Sequence, residues 1–177
     1  MQSTPAVGWE TVIDINLNGI WRTFKAAEPH VAAQRGQLVA IASMASFVHS
    51  PLHGSYAATK AGVWALCDSL RVELREAGVN VACIHPTFFK TPMISDALDD
   101  PVTRAVRNDF TGPFTPAPID QVVRGIISGI ESRRAQVVIP KTFLPNAFAP
   151  GILRPLVDRF AFRRANIRRA IAHVENP

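Results

Sequence analysis

Hydrophobic and polar positions divide the first 140 residues into three helical stretches and three short strands. Residues from about Trp9 to Ala33 read as one helix, with Asn16 inside it. Gly36-Gln37-Leu38-Val39-Ala40-Ile41-Ala42-Ser43 is a short apolar run closed by small polar residues. It predicts a buried parallel strand over Leu38 to Ala42. A second helix is expected over Ser55 to Ala77, with Val63, Leu66, Leu70 and Leu74 on its core face and Gly78 as its stop. Val79 to Ile84 is the second strand. A third helix over Ile119 to Arg133 ends in Arg133-Arg134, where positive charge favours the helix dipole. The third strand, Gln136 to Ile139, precedes Pro140. Six prolines lie between Pro86 and Pro118, too many for a regular helix or a central strand, so this stretch is expected to be irregular. Strands alternating with helices imply a parallel α/β sheet.

Composition narrows the class. A length of 177 residues suits one domain, and 47% hydrophobic with 19% charged residues is enough to fill a core. No apolar run approaches the ~20 residues that cross a bilayer. Met1-Gln2-Ser3-Thr4-Pro5 has neither the basic nor the apolar region of a secretory signal. Cys67 and Cys83 fall in core-like positions and read as free buried thiols of a reducing compartment, which points to a cytoplasmic location. The five histidines are dispersed, and no cluster has metal-ligand spacing, so no metal site is expected. His49 and His53 flank the loop before Tyr56, where they can face a substrate or serve as plain loop residues.

Charge is unevenly placed. Residues 1–140 carry equal numbers of basic and acidic side chains, so the net charge of +5 resides in residues 141–177. Helical projection from Ile152 to Ala172 puts Leu153, Leu156, Val157, Phe160, Ile167 and Ile171 on one stripe. Arginines mostly rim it, although Arg164 falls inside. Three roles compete for this tail. It can cover a substrate cleft or pack on a second subunit; it can lie on an anionic membrane surface; or it can bind nucleic acid. The last is disfavoured, since the tail has no recognised binding fold and no aromatic platform.

The candidate chemistry centres on Ser55-Tyr56-Ala57-Ala58-Thr59-Lys60. Tyr56 and Lys60 rise from one helix face. An ammonium near a phenol favours the phenolate, so such a phenol can exchange protons closer to neutral pH. Thirteen residues earlier stands Ser43, and 27 before that Asn16, in Asp14-Ile15-Asn16-Leu17-Asn18-Gly19. The second strand leads into Pro86-Thr87-Phe88-Phe89-Lys90-Thr91-Pro92-Met93.

These four linked motifs, in this order and spacing, resemble the short-chain dehydrogenase/reductase family from about Trp9 to Pro140. The resemblance implies a Rossmann-type doubly wound sheet and NAD- or NADP-dependent interconversion of a secondary alcohol and a ketone. It implies that Tyr56 is the general acid/base, that Ser43 hydrogen-bonds the reacting oxygen, and that Lys60 tunes Tyr56 and holds the cofactor ribose. Asn16 would interrupt its helix and hold a water that relays protons to Lys60. Pro86, Phe89 and Thr91 fall where the family contacts the nicotinamide. Pro86–Pro118 would be the substrate lid, and its Phe88, Phe89, Met93, Phe110 and Phe114 favour a hydrophobic substrate. Thr87 departs from the family's usual Gly, and its Cβ would oppose a positive φ there.

The family's Gly-rich turn and the Asn-Asn-Ala-Gly before the Asn16 helix have no counterpart here. The expected architecture is therefore a partial sheet lacking its N-terminal strands and, with them, the pyrophosphate cradle. Residues 1–140 form the truncated catalytic core, and 141–177 a basic amphipathic extension of the same domain. The strand at Leu38 to Ala42 would lie at a raw sheet edge, which favours self-association into a homo-oligomer. A second expectation, of another class, is a catalytically silent fragment that acts as an oligomerising or membrane-surface module.

Overall fold

The computed structural model describes residues 6–91 and 99–175. Helix α1 (Ala6–Ile13) and helix α2 (Gly19–Ala33) are continuous through a π-helical turn at Asp14–Asn18. The expected interruption at Asn16 is thus a local widening of the helix and not a break. Strand β1 (Gln37–Ile41), helix α3 (Gly54–Glu73) and strand β2 (Asn80–Pro86) follow. Next come α4 (Pro101–Val106), α5 (Ile119–Glu131), β3 (Gln136–Ile139), α6 (Leu144–Phe148), α7 (Pro150–Phe160) and α8 (Arg164–Glu175).

The described strands form one parallel sheet in the order β1-β2-β3, with Ala40 opposite Cys83 and Ile84 opposite Val137. Helices cover both faces. On one, Phe24 of α2 and Val63 and Cys67 of α3 pack on Leu38, Ala40, Val81 and Cys83. On the other, Val122 of α5 packs on Ile84, Val137 and Ile139. This is the α/β, doubly wound parallel arrangement expected, a partial Rossmann-type sheet. Cys67 and Cys83 are buried and unbridged. The approach of α5 to β3 depends on small residues: a Cβ at Gly129 would stand 2.6 Å from Val137 Cγ2, and one at Gly125 2.7 Å from Ile139 Cδ1. At the end of α3 the helix stops at Glu73, four residues earlier than expected. The chain then turns through Gly78, whose φ of +71° suits glycine.

Two expectations need correction. The proline-rich stretch is not wholly irregular, because Pro101 occupies the first turn of α4, where a missing N–H costs nothing. Asp100 caps that helix, its Oδ2 accepting from the Thr103 N–H at 2.7 Å. The tail is also two helices instead of one. Between them the chain turns so that Phe162 (7% exposed) enters a cluster with Val106, Phe114 and Ala170. The projected stripe is correspondingly split. Val157 and Ile167 pack against that cluster, while Leu156 and Phe160 are 52% and 68% exposed. Met93 lies outside the described residues.

Candidate active site

The sheet delivers its chemistry at the C-terminal ends of β1 and β2. Beyond Ile41 the Ala42 N–H donates to Ile84 O at 2.8 Å, and the chain then leaves β1 in an extended conformation at Ser43. Ser43 caps the short 3-10 turn Met44–Ser46, its Oγ accepting from the Ala45 N–H at 3.1 Å. That bond occupies the oxygen as acceptor and leaves the hydroxyl proton free to point at another oxygen.

Helix α3 presents Tyr56, Ala57 and Lys60 to the same space. Lys60 Nζ donates to the Ile41 carbonyl at 3.0 Å and lies 5.6 Å from the Tyr56 ring centroid. Burial disfavours its charged form and lowers its pKa. Thr59, fully buried and one turn along the helix from Tyr56, donates to the Tyr56 carbonyl at 2.8 Å. It accepts from Asn16 Nδ2 at 3.4 Å. Asn16 therefore reaches the helix turn that carries both Tyr56 and Lys60 but does not line the cavity itself. Close packing of the π turn on α3 is permitted by Gly62, where a Cβ would come within 3.1 Å of Leu17.

His85, at the end of β2, joins these pieces from below. Its side chain is fully buried between Phe47 and Trp64. Nδ1 stands 3.2 Å from both Ser43 O and Ser46 Oγ, and Ser46 Oγ donates to Lys60 O at 2.9 Å. Both acceptors call for the tautomer with the proton on Nδ1. Nε2 then has no hydrogen-bond partner among the described residues. Burial drives the pKa down to about 4, so the ring is neutral at physiological pH.

A cavity of about 1170 Å³ opens over this floor. It brings together Ser43, Tyr56, Lys60, Pro86, Phe89 and Thr91 from the sequence-predicted set, and leaves out Asn16. Thr87 lines it without a positive φ; its N–H donates to Ile139 O at 2.8 Å and prolongs the β2–β3 ladder, so the departure from glycine brings no strain. The Phe88 carbonyl accepts from Ala117 N–H at 2.7 Å, and Phe89 forms a parallel bridge with Ala117, which fixes the backbone where the lid begins. Phe110 and Phe114 of the lid, and Leu156, Val157, Phe160 and Phe162 of the tail, close the upper side. The tail thus covers the cleft, as one of its three expected roles required.

One lining residue, Arg107, escaped the sequence reading, while His53, for which both a substrate-facing and a plain loop role were open, is at the cavity. His53 Nδ1 is 3.0 Å from Pro51 O, and burial lowers its pKa. Arg107, just beyond α4, is 7% exposed and lies face-on to Phe88 at 3.9 Å. The available signal was an arginine set among aromatic and apolar lid residues. His49 is not part of the lining; its Nε2 is 3.4 Å from Ser46 O. Among the described residues no group of three His, Cys, Asp or Glu side chains is placed to hold a metal ion, and no helix is long and apolar enough to cross a membrane.

A doubly wound parallel sheet with a cleft at the C-terminal ends of its strands, here lined by Ser43 after β1 and by Tyr56 and Lys60 of α3, belongs to the class of α/β folds that bind nucleotides at that end. The family profile for short chain dehydrogenase matches residues 1–101, and the chain belongs to that family. An uncharacterized NAD-dependent oxidoreductase of Mycobacterium tuberculosis is 40% identical over 114 residues, covering 63% of this chain and 41% of that protein. The (-)-trans-carveol dehydrogenase of Rhodococcus erythropolis is 42% identical over 90 residues, covering 50% of this chain and 32% of that protein. Among solved structures, a short-chain dehydrogenase from Sphingobium yanoikuyae in complex with NADPH superposes with a TM-score of 0.70. It is 23% identical, and the match covers 93% of this chain and 61% of that one. The chain spans less than half the length of the two curated relatives.

Proposed function

We propose that the cavity is the active site of an NAD- or NADP-dependent oxidoreductase that interconverts a secondary alcohol and a ketone on a predominantly apolar substrate. The observation that carries this reading is the convergence of Ser43, Tyr56 and Lys60, from β1 and α3, on one cleft. The nicotinamide end of a cofactor fits the residues present. The fixed backbone at Phe89, together with Pro86 and Thr91, lines the cavity beside Tyr56 and Lys60. The described residues offer no glycine-rich cradle for the pyrophosphate. Bound there, the nicotinamide supplies or accepts the hydride, which no side chain can do.

The side chains do the rest. Hydride addition to the carbonyl carbon builds negative charge on its oxygen. Ser43 Oγ–H donates a hydrogen bond to that oxygen and Tyr56 Oη gives it a proton, yielding the alcohol. Lys60 Nζ, held by Ile41 O, stabilises the phenolate left on Tyr56 until solvent restores its proton. In the alcohol-oxidising direction each transfer reverses. Asn16 acts through Thr59 on the turn between Tyr56 and Lys60, as a positioning residue. The aromatic and aliphatic upper wall suits a hydrocarbon body, in line with the carveol named for one relative.

The test is reduction of aryl ketones by the 177-residue chain at millimolar NADH or NADPH, and oxidation of the corresponding alcohols at millimolar NAD+ or NADP+. Tyr56→Phe, which keeps the ring and removes the acid, is expected to cost ~100- to 10,000-fold. Near-normal turnover in that variant ends the assignment. A second reading has an observation of its own: Phe148, Ile152 and Phe160 are 75%, 77% and 68% exposed, beside Arg154 and Arg159. It makes residues 152–172 a contact for an anionic membrane surface. Sedimentation with anionic vesicles at low salt, weakened at the ~8 Å screening length of physiological salt, is its signature. A protein left wholly in the supernatant at low salt excludes it.

A further inference from the structure

Arg107 is a buried charge with no acidic partner among the described residues. Buried arginines are ordinarily paired, because taking a guanidinium from water is costly. Arg107 is 7% exposed, yet it takes part in none of the ion pairs formed by the described residues. Its Nε is wholly shielded and has no hydrogen-bond partner among the described residues. The nearest acidic neighbour in sequence, Asp109, is already taken by Arg104 at 3.0 Å. The Phe88 ring beneath the guanidinium offers its π face at 3.9 Å, which satisfies one side of the plane and none of its N–H groups. Desolvation lowers the pKa to about 10, so the group still carries its charge at neutral pH.

The surroundings say where the missing partner belongs. Arg107 lines the same cavity as Ser43, His53 and Tyr56. Among the described residues no aspartate or glutamate contributes to that lining, and the lysine there, Lys60, is committed to the Ile41 carbonyl. The remaining wall is largely apolar: Val48, Phe110, Phe114, Val157 and Phe162. A carboxylate is the planar acceptor that matches a guanidinium with two parallel hydrogen bonds.

We propose that Arg107 is a specificity-determining residue that binds a carboxylate carried by the substrate, so that the site takes an amphipathic keto acid or hydroxy acid. This deepens the oxidoreductase reading and rests on it for the identity of the reacting carbonyl. The apolar wall holds the hydrocarbon body, Ser43 and Tyr56 face the carbonyl or hydroxyl, and Arg107 fixes the far end. Fixing both ends of a substrate sets the reacting carbon against the hydride donor, and orientation of that kind lowers the barrier.

Binding tests this without turnover. Calorimetry on the intact chain compares 4-oxo-4-phenylbutanoate with its uncharged amide, which has nearly the same shape. The acid is expected to bind at least ~10-fold more tightly, as a charge-assisted hydrogen-bonded pair should. Arg107→Gln removes the charge and is expected to abolish that preference, and Arg107→Lys to retain part of it. Equal binding of acid and amide by the wild-type chain overturns the inference, and needs no variant to fold. So does a preference that survives in Arg107→Gln. Equal loss of turnover for acid and amide in Arg107→Gln also overturns it, because Arg107 would then be acting on Tyr56. The oxidoreductase reading fails separately, on the Tyr56→Phe comparison, whatever the acid-to-amide ratio.

Discussion

The floor and the upper wall of the cavity are built differently. The floor is made of strand ends and the first turns of α3, and backbone groups hold its polar side chains. Lys60 is tied to Ile41 O, Ser43 caps its own turn, and His85 bridges Ser43 O and Ser46. The upper wall is made of α4, α7 and the segments around them. Its aromatic contacts are between side chains, Phe88 on Phe110 and Phe114 on Phe162, and the charged Arg107 is part of its lining. Backbone hydrogen bonds fix a position with little tolerance for drift, which general acid–base chemistry requires. Side-chain packing tolerates volume-conserving exchange. On the proposed oxidoreductase reading, the reaction type belongs to the floor and the choice of substrate to the upper wall.

Ser43→Ala breaks the comparison most sharply, because it removes a floor group that serves both chemistry and structure. Loss of one hydrogen-bond donor to a developing oxyanion costs about 100- to 1,000-fold in kcat. Loss of the cap on the Met44–Ser46 turn costs only about 1 kcal/mol. Steady-state kinetics beside a denaturant melt separates the two. A variant that keeps its kcat and loses only stability would reduce Ser43 to a structural cap.

Protonation of His85 tests whether the floor holds together through that ring. Unfolded histidine titrates near 6.5 and His85 in the folded chain near 4. The unfolded state therefore takes up the proton first as pH falls. The stabilising contribution is complete above 6.5 and declines through the window down to 4, by at most roughly 3 kcal/mol. His85→Phe keeps a ring between Phe47 and Trp64 and removes the titration. Between pH 6.5 and 4 the wild-type midpoint is expected to fall more steeply with acid than that of the variant. Parallel curves would mean that the ring does not gate floor stability.

The same contrast explains what could be read from the chain. Tyr56 and Lys60 announce themselves because one helix turn fixes their spacing, and Ser43 because an apolar strand must end just before it. The three strands were legible within one or two residues, since each is an unbroken apolar run flanked by polar or small residues. Asn16 was expected to interrupt its helix; the interruption is a π-helical turn, and the side chain contacts Thr59, a detail of side-chain reach that spacing does not encode. The upper wall was harder. Six prolines hid α4, because proline in a first turn looks the same in sequence as proline in a loop. The tail projected as one helix because Ile167 and Ile171 fall in phase with the stripe that ends at Phe160, although the chain turns between them to bury the Phe162 ring. Arg107 stayed hidden because Arg104 and Arg107 both lie near Asp109 in sequence, and only tertiary packing decides which one pairs.

The smallest effect expected is also the one that best separates the two regions. Asp100 touches neither Tyr56 nor Ser43; it holds the N-terminus of α4 through the Thr103 N–H. Removing such a cap by Asp100→Ala costs about 1 kcal/mol. A six-residue helix has little else of its own to retain its first turn. The helix carries Arg107 at its other end, and α8 packs along it. Loosening α4 should therefore weaken substrate capture while leaving the floor in register. The expected outcome is a KM several-fold higher with kcat nearly unchanged, since ~1 kcal/mol corresponds to about a five-fold change in an equilibrium. If kcat falls in step with KM unaltered, the two regions are mechanically one, and the division of chemistry below from selection above does not hold.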